Sequence, residues 1–178
     1  MKSIPKHLRD LTIPVVVTVL LPAVIYRQEQ RLFSRPHMAP SAFQLVAGAL
    51  VGLGGLALML ISMILMIRIA KSTIMPWDPS KHLVVAGPYR YLRNPMILGV
   101  ILLLIGEALA LSSCRIALMA LGFFLLNTLY FIIFEEPQLE KLFGAAYRRY
   151  KAHVPRWLPR TTPWQPEDNA GPPAPDEN

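Results

Sequence analysis

The chain has 178 residues, of which 53% are hydrophobic, and a mean hydropathy of +0.40. The length predicts a single domain, and the hydropathy is too high for an ordinary soluble one. A net charge of +7 fits either a nucleic-acid binder or a membrane protein with basic loops. Because the Lys and Arg residues avoid the long apolar runs and gather beside them, a bilayer is expected as partner and nucleic acid is not. The single cysteine excludes an intrachain disulfide, and the four histidines lack metal-ligand spacing, so no metal site is expected.

Four apolar runs predict membrane-spanning helices over about residues 11–26, 43–67, 96–113 and 116–134. Because about 20 residues are needed to cross the hydrocarbon core, the second and fourth runs qualify, the third is marginal and the first is short. A first segment that inserts only halfway is therefore the alternative. Only Cys114 and Arg115 separate the last two runs, which predicts a tight helical hairpin.

The basic residues also predict an orientation in the membrane. With both termini in the cytoplasm, all but four of the 18 Lys and Arg residues lie on the inner side. Those left outside are Arg27, Arg31, Arg35 and Arg115. The positive-inside rule favours this arrangement. We therefore expect an integral protein of the plasma (inner) membrane with both termini cytoplasmic.

The C-terminal part has a different pattern. Apolar and aromatic residues from Leu139 to Tyr150 form one stripe at helical spacing, which predicts an amphipathic helix over about residues 137–152. The Pro-rich, acidic stretch 161–178 predicts a disordered tail. The expected fold class is thus an all-α integral membrane protein with four or five transmembrane helices. Residues 1–160 form its single domain.

The first candidate site surrounds the predicted start of the third helix. Asn94 is a good N-cap residue and Pro95 is a favoured first helical residue. The free N–H groups and the positive dipole end of that helix suit an anion, and Arg93 adds a guanidinium beside them. A capped helix with a snorkelling arginine is the alternative interpretation.

The second candidate site is Glu135-Glu136-Pro137, at the inner end of the fourth run. Proline disfavours helix at the preceding residue, so the chain is expected to break here and to restart as the amphipathic helix. Two adjacent carboxylates repel each other unless a cation or a hydroxyl group lies between them. The alternative is that they only cap the following helix.

Three ordered blocks carry a resemblance to a known family. They are the segment Gly87–Gly99 (GPYRYLRNPMILG), the pair Glu135-Glu136, and a run from Phe143 to Arg156 with spaced tyrosines and Val-Pro-Arg at its end. Together they resemble the isoprenylcysteine carboxyl methyltransferase and phospholipid methyltransferase superfamily of integral membrane enzymes. The resemblance covers about residues 76–159.

The resemblance implies an S-adenosylmethionine cleft formed by the last two spans, the loop before them and the C-terminal segment. The cofactor-binding residues that it implies are Gly87, Tyr89, Arg93, Asn94, Pro95, Gly99, Glu135 and Glu136. The substrate-binding residues are Tyr147, Tyr150 and Arg156, and the catalytic ones are Arg93 and Glu136. Two positions depart from the family pattern, since Asn94 stands where many members have His and Ile97 where many have Tyr. Asparagine cannot act as a base near neutral pH.

The expected function is methyl transfer from S-adenosylmethionine to a lipid-like or membrane-embedded acceptor, which is a carboxylate, an amine or a thiol. Arg93 suits the carboxylate of the cofactor, and Glu135 or Glu136 suits its ribose diol or its ammonium group. A carboxylate acceptor needs no base, whereas an amine needs one, for which Glu136 is the candidate. The alternative is a non-catalytic lipid-binding or assembly protein of the same fold. The sequence leaves the oligomeric state open.

Overall fold

The computed structural model describes residues 12–32, 40–70 and 83–165, and within these ranges it contains helices and turns but no strand. This agrees with the all-α class expected from the sequence. The first helix, α1, covers residues 12–32, in which a π-helical turn (Val16–Leu20) joins two α-helical pieces. The second, α2, is Ala42–Leu65, and it continues as a π-helical turn, Met66–Ala70.

The remaining helices follow a short 3-10 turn, Gly87–Arg90. Helix α3 is Pro95–Ala110, so the third helix begins at the residue predicted. Helix α4 is Cys114–Tyr130, continued by the π-helical turn Phe131–Glu135. Two shorter helices complete the described chain: α5, Glu136–Phe143, and α6, Ala145–His153.

Two helical stretches of the described chain are long and apolar enough to cross a membrane, Ala42–Ile69 and Cys114–Phe143. Helix α3 is apolar but has only 16 residues. Large aliphatic side chains on the long stretches are exposed, for example Leu126 at 69%. Such an apolar surface needs a lipid or protein partner. Of the four predicted spans, two thus correspond to helices that are long and apolar enough to cross a membrane.

Helices α2 and α3 pack with their backbones in contact. A Cβ atom on Gly99 would lie 2.6 Å from the carbonyl oxygen of Gly55 and 2.6 Å from the amide nitrogen of Met59. Gly106 meets Gly48 and Gly52 in the same way. Small residues allow this close approach between apolar helices. The contact fixes where the start of α3 lies relative to α2.

The hairpin between α3 and α4 turns earlier than predicted. The turn is formed by residues 111–113, and Cys114 and Arg115 already belong to α4. Ser113 caps α4 by accepting a hydrogen bond from the backbone N–H of Ile116. The buried Ser113 hydroxyl also donates to the buried carboxylate of Glu29, which attaches α1 to the hairpin.

The predicted break at Pro137 is wrong. The chain stays helical from Cys114 to Phe143, and Glu136 itself has helical angles. The π-helical turn Phe131–Glu135 precedes the proline, and such a turn widens the helix where the proline lacks an N–H donor. The break falls at Gly144, whose φ is +55°, a conformation that glycine adopts without strain. The predicted amphipathic helix is therefore two helices, α5 and α6.

Residues 154–165, which we call the strap, cross the turn before α3. Backbone N–H groups of Arg93, Arg160 and Trp164 donate to the carbonyls of Pro155, Tyr91 and Arg90, respectively, at 2.9–3.0 Å. Trp164 is only 5% exposed and packs with Tyr147, Tyr150 and Val154. Burial of this indole outweighs the Pro-rich local sequence, so residues 161–165, which were expected to belong to a disordered tail, are part of the strap. Residues 166–178 and 1–11 lie outside the described chain.

Candidate active site

Arg93 lies where α3, the strap and α5 meet. Its backbone N–H donates to Pro155, and the buried Pro95 begins α3 two residues later. Asn94 occupies the predicted N-cap position, but its side chain forms no capping hydrogen bond. The start of α3 therefore keeps free N–H groups next to the Arg93 guanidinium.

The carboxylate of Glu136 is the centre of an ion-pair network. Its Oε1 accepts from Arg93 Nη1 at 2.9 Å and from Arg156 Nε at 2.8 Å, and Arg156 Nη2 lies 2.6 Å away. Its Oε2 is 3.1 Å from Lys151 Nζ. The side chains of Glu136 and Arg93 are only 7% and 10% exposed. Both oxygens of Glu136 are thus occupied by cationic side chains from three other parts of the chain.

Lys151 links the network to a second carboxylate. Lys151 also bonds to Glu140, at 2.7 Å, so three cations face two carboxylates. The hydrogen bond to Glu140 and then that to Glu136 raise the pKa of Lys151, which keeps the ammonium charged. With Glu135, the residue before Glu136, the region has three cations and three carboxylates.

Two polar groups at this centre have no partner among the described residues. Arg93 Nε is buried and donates no hydrogen bond within this part of the chain. Glu135 lies at the end of the π-helical turn. Within the described residues 12–32, 40–70 and 83–165, it forms neither a hydrogen bond nor an ion pair. A buried donor without an acceptor is unusual in native proteins. The centre thus offers one donor and one carboxylate to a ligand.

Tyr147 lies beside this pair of groups. It is buried, and burial raises the pKa of its phenol. The carboxylate of Glu136 raises that pKa further, whereas the Arg93 guanidinium lowers it. Tyr147 is therefore a neutral hydroxyl at neutral pH, next to Arg93 and Glu136.

Tyr89 and Tyr150 connect the turn before α3 to α6 and to α2 through hydrogen bonds. The Tyr150 hydroxyl donates to the Tyr89 carbonyl at 2.7 Å, and the Tyr89 hydroxyl reaches the Ser62 carbonyl of α2 at 3.5 Å. Both tyrosines are buried, and burial raises the pKa of each phenol. The charge of Glu135 raises the pKa of Tyr89 further, which places that carboxylate near Tyr89.

The two predicted glycines contact α2 and do not join this centre. A Cβ on Gly87, whose φ is +53°, would lie 2.7 Å from the Leu65 side chain, and Gly99 meets Gly55. The structure thus brings together Arg93, Glu136, Tyr147 and Arg156, with Glu135 next in the chain. It places Gly87 and Gly99 in the packing against α2.

Three residues of this region were not predicted from the sequence: Lys151, Trp157 and Trp164. The Trp157 ring packs against Phe124 and Phe131 of α4, with ring centroids 5.1 Å and 5.9 Å apart. Its Nε1 is buried and has no partner in the described chain. The only signal in the sequence was the position of Trp157 next to Arg156, because indoles and guanidiniums often share interfaces.

Comparison with known proteins agrees with the resemblance. The family model described as phospholipid methyltransferase matches residues 43–146, which include Arg93, Glu135 and Glu136 and end before Tyr147 and the strap. No curated protein and no solved structure matches the chain. With more than half of its length matched, this membrane protein belongs to the phospholipid methyltransferase family.

Proposed function

We propose that the protein transfers a methyl group from S-adenosylmethionine to the amine of a phospholipid-like acceptor at the inner edge of the membrane. One observation carries this proposal. The buried guanidinium of Arg93 is held by Glu136 and keeps one unpartnered N–H, and Glu135, the residue before Glu136, has a carboxylate with no partner in the described chain. Membership of the family supports methyl transfer as the reaction.

The donor set fits the cofactor. Arg93 Nε–H and the free N–H groups at the start of α3 are donors for its carboxylate. Glu135 is an acceptor for its ribose hydroxyls or its ammonium group. When bound, the cofactor supplies an electrophilic methyl group.

The ion pairs of Glu136 do not suit the role of base that was expected from the sequence. Its oxygens already accept from Arg93, Arg156 and Lys151, so a proton there would replace strong ion pairs. We assign Glu136 as a positioning residue that fixes the orientation of the Arg93 guanidinium. Substrate alignment of this kind supplies much of the rate of a displacement reaction.

The acceptor decides whether a base is needed. A protonated lipid amine must lose a proton before its lone pair attacks the methyl carbon, whereas a carboxylate attacks directly. Glu135 is the carboxylate near the centre whose oxygens have no partner in the described chain. We therefore assign that proton to the Glu135 Oε that the cofactor leaves free. A base is then not required at position 94, which is consistent with an asparagine there in place of a histidine.

The proposed arrangement places α1 and α3 across the membrane together with α2 and α4. Both termini and the centre around Arg93 then face the cytoplasm. The distribution of Lys and Arg supports this orientation. Because 16 residues make α3 about 24 Å long, the bilayer is expected to thin or the helix ends to snorkel around it.

The test is an incubation of the purified protein in lipid nanodiscs with methyl-labelled cofactor and total membrane lipid. We expect one labelled lipid product from the wild type and a large loss of label with Glu135→Gln. Arg148→Gln, on the exposed side of α6, is the matched control and should retain the activity. Saturable cofactor binding without any labelled product would favour a non-catalytic protein. No binding at all would contradict the proposal.

A further inference from the structure

Trp157 has contacts that the assigned centre does not use. It lies on the strap, beyond residue 146, where the family match ends. Its ring packs between Phe124 and Phe131 of α4. Its indole Nε1 is buried and has no acceptor in the described part of the chain. An unpaired donor in an aromatic setting points to a ligand that brings an oxygen.

The depth of Trp157 limits what that ligand is. Phe131 precedes Glu135 by four residues and Phe124 precedes it by eleven. At about 1.5 Å per residue, these rings lie about 6 Å and 16 Å from Glu135 toward the middle of the membrane. A charged nucleoside is too polar for that depth. A lipid, with ester oxygens next to acyl chains, fits it.

The surroundings of Trp157 agree with a lipid. Leu126 and Ile133, on other faces of α4, are exposed as a bilayer contact requires. Phe124 and Phe131 turn instead to the strap. An indole, with an apolar ring and one polar N–H, is the side chain that suits the boundary between acyl chains and head groups. The strap and α4 thus form an aromatic wall that is close to the bilayer.

We propose that Trp157 is a binding residue for the acceptor phospholipid. Its indole N–H donates a hydrogen bond to an ester oxygen of one bound lipid, whose chain lies along Phe124 and Phe131. This places the head group toward Glu135, at the membrane surface. The inference rests on the proposed function for the identity of the lipid as the methyl acceptor.

Trp164 provides a matched control. Its Nε1 is also buried without a described partner, but its ring packs against Tyr150 and His153 of α6, whereas the ring of Trp157 packs against Phe124 and Phe131. A phenylalanine at either position keeps an aromatic ring and removes the N–H group. The two variants therefore differ in which N–H is lost.

The kinetic test uses nanodiscs of phosphatidylcholine that contain phosphatidylethanolamine, a primary-amine phospholipid, as probe. Trp157→Phe should raise KM for phosphatidylethanolamine about two- to tenfold, the effect of one lost neutral hydrogen bond. Cofactor Kd by calorimetry and Tm should not change. Trp164→Phe should leave KM for the lipid unchanged. An unchanged lipid KM in Trp157→Phe, or an altered cofactor Kd, would overturn the inference.

A second measurement does not depend on activity. The chain has three tryptophans, and a Trp77→Phe/Trp164→Phe protein retains only Trp157. Brominated phosphatidylethanolamine should quench its fluorescence saturably and at a lower mole fraction than brominated phosphatidylcholine. Equal quenching by both lipids would overturn the inference. Selective quenching without methyl transfer would support the lipid site and contradict the proposed function instead.

Discussion

The Arg93 side chain has two roles, an ion pair and a proposed ligand contact, and each role uses a different nitrogen. Nη1 pairs with Glu136, which fixes the guanidinium, and the buried Nε remains for a ligand. The planar guanidinium permits this division because its five donors have fixed directions. The substitution of either Arg93 or its carboxylate partner therefore tests a separate part of the proposal.

We predict that Arg93→Ala weakens S-adenosylmethionine binding by about 1.5–3 kcal/mol, the range for a hydrogen bond to a charged group. The variant should stay folded, because Arg156 and Lys151 still neutralise Glu136. Calorimetry on the purified protein measures the affinity. Arg149→Ala, on the exposed side of α6, is the control. Wild-type affinity in a folded Arg93→Ala protein would contradict the assignment.

The adjacent carboxylates should respond differently to substitution. Glu136→Gln leaves Arg93 buried without a charge partner, so we expect a loss of unfolding free energy of about 3 kcal/mol, the lower end of the range for a broken buried pair because Lys151 and Arg156 are partly exposed. Glu135→Gln should leave Tm nearly unchanged and weaken cofactor binding. Thermal unfolding and calorimetry of both variants measure this contrast.

Unequal effects on Tm, with the larger for Glu136→Gln, would support the role of positioning residue. Equal and mild effects of both variants on cofactor binding would contradict a cofactor site at the pair. They would favour the capping of α5 instead.

At the scale of elements, the α2–α3 contact depends on glycine. Gly106 faces the backbone of α2, where an added Cβ would lie 2.5 Å from Gly52 N, whereas Gly54 has open space around it. We predict that Gly106→Ala lowers the unfolding free energy by about 1–3 kcal/mol, the cost of overpacking. Gly54→Ala, in α2, is the control and should be neutral or slightly stabilising.

Thermal unfolding in detergent compares the two glycine variants. A Gly106→Ala protein as stable as Gly54→Ala would show that α2 and α3 are not in backbone contact. The same contact positions α3, and therefore Arg93, against α2. Because a shift of α3 moves Arg93, we expect Gly106→Ala to lower the affinity for the cofactor although residue 93 itself is unchanged.

At the scale of the whole molecule, the orientation can be read from the native cysteine. Cys114 is exposed, at the start of α4 and at the outer side in the proposed arrangement. We predict that a membrane-impermeant thiol reagent labels Cys114 in sealed cells. A Cys114→Ser/Ala152→Cys protein, labelled at the exposed Ala152 of α6, should react only after permeabilisation. Equal labelling of both proteins in sealed cells would contradict a membrane crossing by α4 between the two sites.

Alkaline pH should destabilise the region of the strap. Burial raises the pKa of Tyr89, Tyr147 and Tyr150 above the ordinary value of 10.0. A phenol with a raised pKa contributes stability that is complete below 10.0 and is lost as the pH rises above it. The pKa of Lys151 is also raised, so its contribution is lost in the same direction.

We therefore predict that Tm falls progressively above about pH 10. Tyr150→Phe should lower the unfolding free energy at neutral pH by about 1 kcal/mol, for the lost hydrogen bond to Tyr89. It should also make the alkaline fall shallower. Unfolding measured over a pH series compares the slopes. The same slope in both proteins would contradict the contribution of Tyr150.

The sequence by itself determined the features that depend on local composition and spacing. Apolar runs predicted the long helices, because a membrane-spanning helix must be apolar along its whole length. The Asn94-Pro95 pair predicted the start of α3 at the correct residue. The ordered blocks around Arg93 and Glu135-Glu136 carried the resemblance that the family match confirms.

Only the tertiary structure decided the partners of each group. Glu136 bonds to Arg93, 43 residues away, and to Arg156, 20 residues away, and no local pattern encodes such pairs. The predicted break at Pro137 failed because a π-helical turn accommodates the proline. The strap is ordered as far as Gln165 because Trp164 finds a buried site made by distant tyrosines. Local propensity is set by neighbours in the chain, whereas burial and charge pairing are set by neighbours in space.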